Sequence, residues 1–108
     1  MQPITRDALK RRLAEDGDLT LVEVLPEAYF RKFHLPGAIN VPLGETFEEA
    51  IRKAVPDKGR TVVVYCQNTD CPASAKAARR LDQLGYTDVY DYEAGKADWK
   101  EAGLPVES

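Results

Sequence analysis

The sequence predicts an α/β domain: a central, mostly parallel β-sheet with helices on both faces. Three observations carry this reading. Strand-like apolar runs alternate with helix-like amphipathic runs along the whole chain, the order that βαβ units require. The run Leu19 to Val24 is mostly apolar instead of strictly alternating with polar residues, as in sheets covered on both sides. Prolines and glycines fall between the runs as punctuation and are not massed in a low-complexity tract. At 108 residues, residues 1–108 form one domain, long enough to bury a core without disulfides or metal.

The elements follow in order. Thr5 reads as the N-cap of a first helix, with Ile4 and Leu9 as a hydrophobic staple and Leu13 on the same face. Gly17 stops that helix, and Leu19 to Val24 follow as a strand. Pro26 opens a short helix through about Lys32. The Pro36-Gly37 turn precedes a second strand, Ala38 to Val41, closed by Pro42. Thr46 and Glu49 have the spacing of a capping box, opening a helix that turns Phe47, Ala50, Ile51 and Ala54 inward. Pro56 and Gly59 end it. Thr61 to Tyr65 is the clearest strand, rich in β-branched residues. Residues 67–73 read as a loop, Ser74 to Leu84 as a helix with Ser74 as its N-cap and Gly85 at its end, Val89 to Tyr92 as a strand, and Ala97 to Ala102 as a last helix bearing Trp99.

Composition excludes several functions. A net charge of −3 leaves no general basic surface, and the Lys10 to Arg12 and Arg79-Arg80 clusters read as solvated helix faces, so no nucleic-acid partner is expected. No run approaches the ~20 apolar residues that span a bilayer, and Met1 to Ile4 followed by charges does not read as a secretory signal, so no membrane partner and a cytoplasmic location are expected. Two cysteines are too few for a disulfide framework, and with the single His34 they have no usual zinc spacing, so no metal site is expected.

Chemistry is expected where strand ends meet helix N-termini, beyond the carboxyl edge of a parallel sheet. Cys66 lies there. The following loop and helix offer backbone N–H groups and the positive end of a helix dipole, both of which favour a nucleophilic thiolate. The alternative is a small buried residue, a common role for free cysteine. Cys71, five positions on, has the spacing of a resolving thiol that attacks a persulfide or sulfenic acid on Cys66; the alternative is simple packing near Pro72. His34 and Trp99 read as structural, Asp70 as a solvated loop residue, and Lys76, in the helix's first turn, as a structural residue, with a supply of positive charge to the site as the alternative.

Leu21 to Val24 together with His34 to Leu43 resemble the first signature of rhodanese-like domains. Val62 to Cys66, Ser74 to Ala78, Leu84 to Tyr86, Gly95 to Trp99 and Ala102 to Val106 continue the resemblance in order. It implies a rhodanese-like fold with about five short strands. It further implies a sulfurtransferase, thiosulfate sulfurtransferase-like, in which Cys66 takes a sulfane sulfur as a persulfide and passes it to a thiophilic acceptor. Loop residues Gln67, Asn68, Thr69, Asp70, Cys71, Ala73 and Ser74 would then bind the substrate. The implied partners are a small sulfane donor or thiol and a protein sulfur acceptor; no cofactor is implied.

Departures from the pattern refine this. The loop is two residues longer than in sulfurtransferase members and carries no cation, so thiosulfate forfeits charge-assisted contacts worth about 1.5 to 3 kcal/mol each and is not expected to be the best donor. The related phosphatases place an arginine six positions after their cysteine, where this chain has Pro72. Glu23 and Leu25 stand where the family has an aspartate and often an arginine, which weakens any carried-over structural ion pair. Two other functions fit the sequence: a thiol-disulfide protein using Cys66 and Cys71, and a noncatalytic interaction module that keeps only the fold.

Overall fold

A computed structural model describes residues 1–15 and 17–108. The described elements, in chain order, are β1 (Gln2–Pro3), α1 (Arg6–Glu15), β2 (Thr20–Glu23), α2 (Glu27–Lys32), β3 (Ile39–Asn40), α3 (Phe47–Ala54), β4 (Val62–Tyr65), α4 (Ala73–Gln83), β5 (Val89–Tyr92) and α5 (Gly95–Glu101). The strands form one sheet in the order β1-β5-β4-β2-β3, and every pairing is parallel. This is the predicted rhodanese-like α/β architecture. Strand β1 was not expected: two exposed residues carry no apolar pattern, and only pairing with Tyr90 and Asp91 makes them a strand.

The two faces of the sheet bury separate cores. On one, Val22, Val24, Val62, Val64 and Val89 pack against Phe47 and Ile51 of α3 and Ala77, Ala78 and Leu81 of α4. On the other, Leu21, Val63, Tyr65 and Tyr92 pack against Leu9 of α1 and Trp99 of α5. Strand β4 sends successive side chains to opposite, equally apolar faces, which is why its sequence is a continuous apolar run.

Local details depart from the sequence in instructive places. Thr5 does cap α1, its hydroxyl accepting the Ala8 N–H at 3.2 Å. Thr46 makes no such bond to α3; the helix is held by its inward face. Ser74 is not the N-cap of α4. Pro72 is, without a side-chain bond, and Ser74 lies buried in the first turn. The last helix starts at Gly95, two residues before the expected position. Glu23 does not lack an ionic partner, as its replacement of the family's aspartate suggested: Lys96 Nζ lies 3.0 Å from its carboxylate, both fully buried, and also donates to the Tyr29 and Phe33 carbonyls at 2.7 and 2.8 Å. Among the described residues no helix is long and apolar enough to cross a membrane.

Candidate active site

The site is built by the segment between β4 and α4. Val62 and Val64 of β4 face the α3/α4 core and Val63 and Tyr65 face the other. Cys66 comes next in that alternation and falls on the α3/α4 side, 1% exposed. Its sulfur lies in the interior, as in the alternative reading of Cys66 as a small buried residue. The thiol donates to the Cys71 carbonyl at 3.3 Å. Burial is the main influence that pushes the Cys66 thiol up to about 11; the neighbouring Cys71 thiol adds to the rise, and the Ser74 hydroxyl and amide offset part of it.

Cys71 occupies the setting expected for Cys66. It is half-buried and lines a cavity of about 170 Å³ together with Thr69, Pro72, Ser74, Ala75, Asp91 and Glu93. Burial is the largest single influence on its thiol and acts upward. Hydrogen bonds from the Cys66 thiol and from the Ala73 and Gln67 amides outweigh it, so the Cys71 thiol falls below its ordinary value despite the nearby Asp91 carboxylate. The loop amides are divided between the two sulfurs, those of Ala73 and Gln67 acting on Cys71 and that of Ser74 on Cys66.

The loop is anchored from beneath by α5. The Lys96 and Ala97 N–H groups donate to the Cys66 and Gln67 carbonyls, both at 3.0 Å, so these first-turn donors hold the loop instead of facing a ligand. Asn68 stabilises the tip, its side chain accepting the Asp70 N–H at 3.0 Å and its carbonyl the Cys71 N–H at 3.1 Å. Of the predicted binding residues, Thr69, Cys71 and Ser74 border the cavity; Gln67 and Ala73 contribute amides; Asn68 and Asp70 are exposed at the tip. Cys66 does not border the cavity.

Asp91 and Glu93 were missed by the sequence reading. Asp91 shares with Val89 the parity that faces α4, and it is 1% exposed. Neither of its carboxylate oxygens has a hydrogen-bond partner among the described residues. Burial raises its pKa, the Ser74 hydroxyl, close by but outside hydrogen-bond geometry, lowers it in part, and the Glu93 charge adds to the rise. An acidic residue in an otherwise apolar strand was the available signal. His34 is structural: its Nδ1 lies 2.9 Å from the Phe30 carbonyl and its ring stacks on Phe30 at 3.7 Å. Trp99 anchors the chain after α5, donating to the Pro105 carbonyl at 2.8 Å. Lys76 is exposed and does not line the cavity. Among the described residues no group of three or more His, Cys, Asp or Glu is placed to hold a metal ion.

The thiols are expected to alkylate in sequence as pH rises. Iodoacetamide modification located by fragment-ion mapping should label Cys71 first, with a midpoint below its ordinary value, while Cys66, buried and raised, lags behind it. Equal labelling across the range would show that the structure misassigns the two environments.

Comparison with known proteins agrees with the fold. The profile of the family described as Rhodanese-like domain matches residues 5–102. An HTH-type transcriptional regulator of Mycobacterium tuberculosis is 38% identical over 96% of this chain, which spans 44% of that protein. A sulfurtransferase of Allochromatium vinosum is 31% identical over 95% of this chain and 92% of its own length. The crystal structure of a thiosulfate sulfurtransferase from Pseudomonas aeruginosa superposes with a TM-score of 0.85 at 30% identity, covering 98% of this chain and 20% of that one. The chain thus spans less than half of the regulator and a fifth of the Pseudomonas enzyme.

Proposed function

The chain belongs to the rhodanese-like domain family, and from that premise we propose that it is a sulfurtransferase: a thiol of the Cys66/Cys71 pair accepts a sulfane sulfur as a persulfide and passes it to a thiophilic acceptor. The observation that carries this reading is the thiol on the wall of a cavity at the carboxyl edge of the sheet, held among backbone amides that favour its anion. A persulfide anion needs donors already aimed at it, and the loop supplies them without rearrangement. Sulfurtransferases similar to this chain over nearly its full length support the same chemistry.

The cavity also speaks to the donor. Its charged lining residues, Asp91 and Glu93, are both acidic, so the dianion of thiosulfate meets repulsion where a donor carrying an ammonium group meets attraction. Incubation with cysteine persulfide or thiosulfate, followed by intact-mass measurement, tests the function. One added sulfur atom, removed by a reducing thiol, is expected with both donors and faster with cysteine persulfide. It should be absent from the Cys66→Ser/Cys71→Ser double variant. An unchanged mass with every donor would overturn the sulfurtransferase reading.

A further inference from the structure

We propose that sulfur is received at Cys71, through the cavity floored by Asp91, and that Cys66 remains a protonated positioning thiol behind it. This inference rests on the sulfurtransferase reading and departs from the family resemblance, which puts the persulfide on Cys66.

Two independent observations point to Cys71. The first is access. Cys71 lines the cavity and Cys66 does not; Cys66 lies in the α3/α4 core at 1% exposure, with its S–H directed at the Cys71 carbonyl.

The second is Asp91. A buried carboxylate with neither oxygen bonded is costly to retain unless a partner arrives. This one lies on the strand next to β4, opposite Val64 in register, and lines the same cavity as Cys71. Its missing partner is a hydrogen-bond donor on the incoming molecule, such as the ammonium of an amino-acid persulfide or the terminal S–H of the persulfide itself. The ligand class is therefore a small persulfide bearing an N–H or S–H donor close to its sulfane sulfur.

The chemistry balances without an external oxidant. The Cys71 thiolate attacks the outer sulfur of RS–SH; the Cys71 Sγ–S bond forms, the donor's S–S bond breaks, and RS⁻ leaves and takes the proton Cys71 released. The products are Cys71 persulfide and RSH, with no net change in oxidation level. Cys66 forms no bond in this step. Its S–H, held on the Cys71 carbonyl at 3.3 Å, positions the Cys71 main chain, and the neighbouring neutral thiol favours the Cys71 anion.

Single variants loaded with cysteine persulfide test the assignment. Cys71→Ser should gain no sulfur by intact mass, whereas Cys66→Ser, which keeps an O–H donor, should still gain one sulfur atom. Cys66→Ala should still load, with the pH midpoint of Cys71 alkylation moved upward and the rate near neutrality lowered roughly two- to tenfold, the span given by one modest hydrogen bond. Asp91→Asn should narrow the preference for cysteine persulfide over thiosulfate; an unchanged ratio would remove Asp91 from the site. Sulfur retained in a folded Cys71→Ser variant and lost in Cys66→Ser would overturn the inference while leaving the sulfurtransferase reading intact. No sulfur in the wild type would overturn both.

Discussion

Lys96→Met is expected to destabilise the protein by about 3 to 5 kcal/mol, the range for removing one partner of a buried ion pair. Lys96 is 1% exposed and Glu23 fully buried. The ammonium satisfies one Glu23 oxygen and two backbone carbonyls and sits 4.6 Å from the centre of the Phe33 ring. A thioether of similar length replaces the volume but none of these bonds, and it leaves the Glu23 carboxylate charged in a dry interior. Urea unfolding should show the loss directly, and thermal unfolding should fall by roughly 15 °C for a domain of this size. Removing the charge as well, in Glu23→Leu/Lys96→Met, should recover a substantial part. A Lys96→Met loss below about 1 kcal/mol, the size of a surface pair, would show that the interior pairing does not hold in solution. Because the Lys96 and Ala97 amides anchor the Cys66 and Gln67 carbonyls, the ion pair also fixes α5 beneath the thiol loop, so sulfur loading should slow in the single variant.

Gly95→Ala is the second large effect. Gly95 adopts φ +73°, and a methyl group there would lie 2.6 Å from the Gln67 carbonyl carbon and oxygen and 2.7 Å from the Asn68 nitrogen. The left-handed backbone costs a side chain about 1 to 2 kcal/mol, and forcing the neighbours apart adds about 1 to 3 kcal/mol. Those neighbours are backbone atoms of the thiol loop, which cannot rotate away, so the expected loss of stability is about 2 to 5 kcal/mol, accompanied by slower sulfur loading. Gly103→Ala is the control, since Gly103 has a similar φ of +75° with nothing within 4 Å of the added methyl. It should cost only the backbone part and leave loading unchanged. Equal losses at both positions would mean that the Gly95 contact with the loop carries no energy.

The alternation of apolar and amphipathic runs made the fold legible, because a sheet buried on both faces leaves its strands no polar parity to hide. Strand β1 was not legible, since Gln2 and Pro3 acquire strand geometry only from β5. The thiol-bearing loop between β4 and α4 was legible too, but the burial of Cys66 was only the alternative reading. The information was present: extending the period-two parity of Val62 and Val64 by one step turns Cys66 inward, and the same parity through Val89 turns Asp91 toward α4. The Glu23–Lys96 pair lay beyond reach for a different reason. Its members stand 73 positions apart, and nothing local in either segment marks a lysine that will be buried.

The thiol loop is fastened at its stem, where α5 grips two carbonyls, while Asn68, Thr69 and Asp70 project from its crest into water. Exchange of the Asp70 side chain therefore leaves both bonds from α5 to the stem in place, whereas Asn68 also holds the Cys71 N–H and ties the crest to the sulfur beneath it.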